Sequence, residues 1–187
     1  MSQYYYTVAS LPALRFEDDP FLDIPTFLDM CRVEASSEDI GYIESAAIWF
    51  TREDMDHMPS DSVAHRWAQS LRDLQIQTAV LRSQALAWEG ERFPPVSGSD
   101  GTLLERARAI VNEENPYKME LALLRRLWQT AEDLEAGHYF DRDTLFLYHL
   151  KLQIVLRKVR ISDTEAGDTE FDRQYATVAE SLMEIAI

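Results

Sequence analysis

The sequence predicts an all-α fold, an elongated helical bundle of about six to eight helices with one long helix near 60–89. Three observations carry that reading. Apolar residues recur by threes and fours along most of the chain. Only 6 Gly and 7 Pro occur, and several of them cluster, so long uninterrupted elements are allowed. The one segment with strand-like composition, at the start, has no second segment to pair with. A single helical domain over 1–187, with a flexible loop near 90–101, is the expected organisation.

Tyr4 to Ser10 fit a short helix or a strand, and the missing strand partner turns the reading to helix. Asp23 is placed as an N-cap with Pro25 in the first turn, opening a helix to about Ala35. Ser36 and Ser37 start the next helix, with Glu38 and Asp39 at the positive end of its dipole. Ile40, Ile43, Ala47 and Phe50 read as its apolar stripe, and Pro59 closes the region.

From a cap at Ser60 or Asp61, the series Ala64, Trp67, Leu71, Leu74, Thr78, Leu81, Ala85 and Trp88 holds a heptad-like seam. Neither Gly nor Pro interrupts 60–89. A helix of that length extends about 43 Å, against a radius of gyration of about 16 Å for a compact chain of this size, hence the expected elongation. Ile76, Val80 and Ala87 widen the apolar face, which favours packing inside a bundle over a free coiled coil.

Gly90 to Gly101, with Pro94-Pro95 and Ser97-Gly98-Ser99, reads as a turn followed by a flexible loop. Thr102 opens a helix through Asn112, and Asn115-Pro116 restarts one to about Ala136, ended by Gly137. Asp141 or Asp143 caps a helix to about Ile161 that is apolar nearly all round, from Leu145 to Val159. Such a helix belongs at the centre of a bundle. A last helix is expected between about Thr169 and Ile185.

Charge excludes some functions. With 33 acids against 18 bases the net charge is -15, the wrong sign for binding nucleic acid or an anionic bilayer surface. A solvated acidic face or a basic protein partner fits. The single cysteine, Cys31, allows neither an internal disulfide nor a cysteine metal cluster, and it reads as a small core residue. The N-terminus lacks the pattern of a signal peptide. Leu145 to Leu156 is too short and too polar to span a bilayer, so a cytoplasmic location is expected.

The chain offers little chemistry. Gly98-Ser99-Asp100-Gly101 lacks the Lys-Ser/Thr of a phosphate loop, and no Gly-x-Ser-x-Gly elbow occurs. Asp54 with His57, and Glu135 with His138, have the i, i+3 spacing of ligands in di-iron bundles. Both pairs fall at expected helix ends, which favours surface or capping histidines. His65 and His149 read as satisfied packing histidines. Glu113 and Glu114 point about 100° apart on a helix and do not form a carboxylate dyad. Trp49, Trp67, Trp88 and Trp128 read as core, with Trp88 the one nearest a loop and a partner surface. Glu120 and Lys151, each in an apolar helix, are candidates for an ion pair. No catalytic, cofactor-binding or metal-binding residue is assigned, and neither a cofactor nor a small-molecule substrate is expected.

Three stretches carry a family resemblance: Tyr4-Tyr5-Tyr6-Thr7-Val8-Ala9-Ser10-Leu11-Pro12 with Leu14 and Phe16; Asn115-Pro116-Tyr117-Lys118-Met119-Glu120 with Leu123 and Arg126-Leu127-Trp128; and Tyr148-His149-Leu150-Lys151-Leu152-Gln153-Ile154 with Arg157. In this order they resemble a bacterial family encoded among the genes of V-type ATPases, whose members look like short relatives of the C/d subunit of those enzymes. In the family that subunit is an all-helical socket between the membrane rotor ring and the central axle. The resemblance implies a non-catalytic subunit or accessory protein, with ATPase subunits as partners and a place peripheral to the membrane through that complex. The chain is much shorter than a three-lobed socket, so the resemblance does not extend to the whole funnel. A helical scaffold or adaptor for an unrelated partner is the alternative, and a metal-dependent helical-bundle oxidase is a third class.

Overall fold

A computed structural model describes residues 4–86, 93, 101–113 and 115–162. Among these there are eight helices and no strand, as the periodicity predicts. They are α1 (Tyr5–Ser10), α2 (Ile24–Arg32), α3 (Ser37–Glu44), α4 (Arg52–Asp56), α5 (Val63–Ala85), α6 (Gly101–Val111), α7 (Pro116–Leu134) and α8 (Arg142–Ser162). The expected loop near 90–101, Trp88, Glu114 and the helix expected over 169–185 lie largely or wholly outside the described residues. No helix among the described residues is long and apolar enough to cross a membrane.

Most helix starts are written in local chemistry. The Asp23 carboxylate accepts from Thr26 N–H at 2.8 Å, with Pro25 in the first turn of α2. Ser36 accepts from Asp39 N–H at 3.2 Å, and Asn115 caps α7 through Tyr117 and Lys118. Asp141, not Asp143, caps α8, taking Thr144 N–H at 2.9 Å. Each such cap satisfies amides that the helix itself cannot. Past the end of α7, Gly137 sits at φ 94°, a left-handed conformation that glycine adopts without a Cβ clash.

Two boundaries differ from the sequence reading. The stripe Ile40, Ile43, Ala47, Phe50 is not one helix, because α3 stops at Glu44. Gln153 Nε2 donates to the Ala46 carbonyl at 2.7 Å and Trp67 Nε1 to that of Ala47 at 2.9 Å. Those are acceptors a continuing helix would use itself. The chain restarts as α4 behind a capping box, Thr51 and Asp54 bonding each other's amides. The long helix is capped by Ser62, not by Ser60 or Asp61, because Ser62 bonds both His65 N–H and the Pro59 carbonyl. It ends at Ala85, so α5 extends about 34 Å instead of about 43 Å.

α8 is the central helix, and its all-round apolar sequence serves two cores. Phe146, Leu147, Leu150, Ile154 and Val155 join Trp67 and Leu71 of α5 and Leu124, Leu127 and Ala131 of α7. Leu145 and Leu152 face the other way, toward Tyr4, Phe27, Cys31 and Ile43. A third, smaller cluster ties α5 to α6 through Leu74, Ala107 and Ile110.

α7 and α8 run antiparallel, but Glu120 and Lys151 do not pair. Arg157 Nε meets Glu120 at 2.6 Å, and Lys151 Nζ meets Glu135 at 2.7 Å while lying over the Trp128 ring. The offset between the helices places 157 opposite 120, and periodicity alone does not set that offset. Arg157 and Glu120 both stay partly in water, so Glu120→Ala is expected to cost no more than about 1 kcal/mol. Lys151 is only 12% exposed, and Lys151→Ala removes both its ion pair and its ring contact. A loss of about 1–3 kcal/mol is expected there. Urea unfolding of the two variants checks the order, and a larger loss for Glu120→Ala would contradict it.

Candidate functional site

A network of polar side chains lies where α1, α3 and the start of α8 meet. It begins with Tyr4, which is buried at 2% exposure although it belongs to a tyrosine triplet. Its backbone N–H donates to the Phe140 carbonyl at 2.6 Å. Its hydroxyl donates a short hydrogen bond to Oδ2 of Asp39. Asp39 also accepts from Ser36 Oγ and, through Oδ1, from Arg142 Nη1 at 3.1 Å. One carboxylate therefore ties α1, α3 and α8 together. Burial pushes the Asp39 carboxyl up, but the bonds from Tyr4, Arg142 and Ser36 outweigh it and hold the group below the usual carboxylate value.

Arg142 lies over the Tyr42 ring at 4.8 Å, and the Tyr42 hydroxyl donates to Asp143 at 2.6 Å. Burial first, and the Asp143 carboxylate second, push the Tyr42 phenol up. His138 Nδ1 lies 2.7 Å from Asp141 and 3.6 Å from Asp143. Burial raises the Asp141 carboxyl, but its bonds with His138 and Thr144 hold it below the usual value. Tyr4, Glu38, Asp39, His138, Asp141, Arg142 and Asp143 line a cleft of about 410 Å³.

The ligand atoms of His138, Asp141 and Asp143 lie within 4.8 Å of one another. These are the residues among those described that could approach a metal together. Each is also engaged internally: Asp141 with Thr144 and His138, and Asp143 with Tyr42. One imidazole and two carboxylates that also hold a helix cap and a phenol make a fold-stabilising network in their own right. The i, i+3 pairs fare differently from their spacing. Glu135 turns to Lys151 instead of joining His138. Asp54 is taken up by the Thr51 capping box, with His57 exposed at the end of α4.

The remaining histidines divide. His149 is buried, and its Nδ1 lies 2.8 Å from the Ile43 carbonyl. Burial lowers its pKa, so the neutral form is favoured in this satisfied packing position. His65 departs from expectation, since its buried Nδ1 has no hydrogen-bond partner. Cys31 is wholly buried, and burial pushes its thiol up to about 12. That keeps it protonated and poorly nucleophilic. Trp67 and Trp128 are core, whereas Trp49 is 38% exposed beside a groove with Phe50, His57 and Met58.

Sequence reasoning missed the aromatic surface next to the cleft. Tyr5 and Tyr6 of the triplet are 58% and 79% exposed, and Tyr139 and Phe140 are 71% and 38% exposed. The Tyr5 and Phe140 rings lie 4.6 Å apart, and Tyr5 and Tyr6 meet edge to face at 6.1 Å. The signal was present in the tyrosine triplet and in the Tyr139-Phe140 pair, but α1 is too short to display a period. Comparison with protein-family models, with curated proteins and with solved structures finds no match to the chain.

Proposed function

We propose that the protein is a non-catalytic subunit or accessory protein of a bacterial V-type ATPase, resembling the rotor-side C/d subunit, which couples the central axle to the membrane ring. The observation that carries the reading is the ordered set of three resembling stretches. Their residues contact one another around α8, which supports treating them as one unit. Tyr148 of the third stretch donates to the Pro12 carbonyl of the first at 2.9 Å. Arg157 bonds Glu120 of the second at 2.6 Å, and Lys151 lies over its Trp128. Phe16 packs edge to face on Trp128 at 5.9 Å. A helical protein rich in acid is a suitable coupling part between basic neighbours.

Co-purification tests the reading. A tagged chain expressed in its native host should bring down ATPase subunits from membranes after mild detergent extraction. Recovery of the intact enzyme without this protein would instead favour an adaptor with an unrelated partner.

A further inference from the structure

Exposed aromatic residues are ordinary singly and informative in clusters. Tyr5, Tyr6 and Phe140 form such a cluster from two segments far apart in sequence, and the exposed Tyr139 precedes Phe140 in the chain. Their base is held firmly. The Tyr4 amide is bonded to the Phe140 carbonyl, and Thr7 is clamped by Glu34 through both its hydroxyl, at 2.6 Å, and its amide, at 3.1 Å. Aromatic side chains on a fixed base lose little freedom on binding, which suits a protein contact.

The acidic cleft adjoins this surface through the chain itself, since Asp141 follows Phe140 directly. Arg142 is bonded to Asp39, and His138 lies against Asp141 and Asp143. Glu38, Asp141 and Asp143 leave an excess of negative charge there, on a chain whose net charge is already -15. An occupant must therefore combine apolar surface with positive charge. A second copy of this chain would set acid against acid. On a helix, an apolar residue and a Lys or Arg three or four positions away share one face at about 5–6 Å. A basic amphipathic helix therefore presents both kinds of group on one side.

We propose that Tyr5, Tyr6 and Phe140, with the bordering carboxylates of Glu38, Asp141 and Asp143, form a docking surface for a basic amphipathic helix of a protein partner. The partner's apolar residues cover the rings, and its Lys or Arg side chains reach the cleft edge. Cations also lie favourably over tyrosine faces. This goes beyond the ATPase reading and does not depend on it, because the partner is defined by its chemistry.

The test uses the full chain and a labelled synthetic helical peptide of leucine and lysine, with a leucine–glutamate peptide as counterpart. Fluorescence anisotropy is read at about 0.15 M salt, where charges more than about 8 Å apart are largely screened. The lysine peptide should bind saturably and the glutamate peptide should not. Tyr5→Ser combined with Tyr6→Ser should weaken binding about tenfold or more, as loss of aromatic anchors does. Asp56→Asn combined with Asp61→Asn, which removes two exposed charges at the α4–α5 connection, should change it less than about twofold. All four positions are exposed, and circular dichroism checks that the fold is retained. Weakening by the Asp56/Asp61 variant as large as that by the tyrosine variant would mean that binding is not localised to this surface, and would overturn the proposal. So would absence of saturable binding, or a wild-type dimer that the tyrosine substitutions dissociate. Failure of ATPase co-purification leaves this result untouched and removes only the ATPase as the partner's source.

Discussion

Trp67→Ala lowers the unfolding free energy by about 3–5 kcal/mol, among the largest single-site losses expected in this chain. Trp67 is wholly buried in the core shared by α5, α7 and α8. Its indole N–H also holds the Ala47 carbonyl at 2.9 Å, which fixes the connection between α3 and α4. The two contributions separate experimentally. Trp67→Phe keeps an aromatic ring but drops the hydrogen bond, and should cost about 1–2 kcal/mol. Chemical denaturation with a common slope for all three proteins gives the comparison. If the phenylalanine variant lost as much as the alanine variant, the hydrogen bond and the connection it holds would outweigh the ring's packing.

Asp39→Ala should cost about 3 kcal/mol, because it removes the acceptor shared by the Tyr4 hydroxyl, Arg142 Nη1 and the Ser36 hydroxyl that caps α3. The effect carries a pH signature. The Asp39 carboxyl is held below its ordinary value of 3.8 in the fold, so the unfolded chain takes up its proton first as pH falls. Its ionic contribution is fully present above that unfolded value and is lost as pH falls through the lower folded value. The stability difference between wild type and Asp39→Ala should therefore be flat from neutral pH down to about pH 5 and shrink below about pH 4. A difference that stayed constant to about pH 2 would mean that the ionised carboxylate contributes nothing beyond a neutral acceptor.

What was legible in the sequence follows the range of the physics involved. Caps act over three residues, and Asp23, Ser36 and Asn115 were readable for that reason. The buried faces of α7 and α8 followed from period and composition. The Thr51-x-x-Asp54 box was also present, but an apolar stripe running up to it suggested a longer helix than α3. The break at Ser45 is imposed by Trp67 and Gln153, residues remote in sequence, so no local window contains its cause. The partners of Glu120 and Lys151 depend on how α7 slides along α8, which hydrophobic period leaves open. At the cleft, Asp39 and Arg142 are 103 positions apart, Tyr42 and Asp143 101, and they come together only in the fold. The tyrosine triplet was conspicuous as a string, yet the division of labour within it, one ring inward and two outward, is a tertiary fact.

The central position of α8 also sets the order in which this chain can mature. Tyr148 waits for Pro12 across 136 positions, His149 for Ile43 across 106, and Lys158 for Phe16 across 142. During synthesis the first half leaves the ribosome well before the helix it must wrap around has been made. Phe27, Cys31 and Ile43 then lack Leu145 and Leu152, against which they pack in the fold, and the Tyr4 segment lacks the stretch of chain at Phe140 that will anchor it. Contacts of such long sequence separation also slow folding once the chain is complete. The nascent protein thus spends most of its translation as an acidic chain with aromatic residues in water. In that interval its net charge of -15 repels other copies.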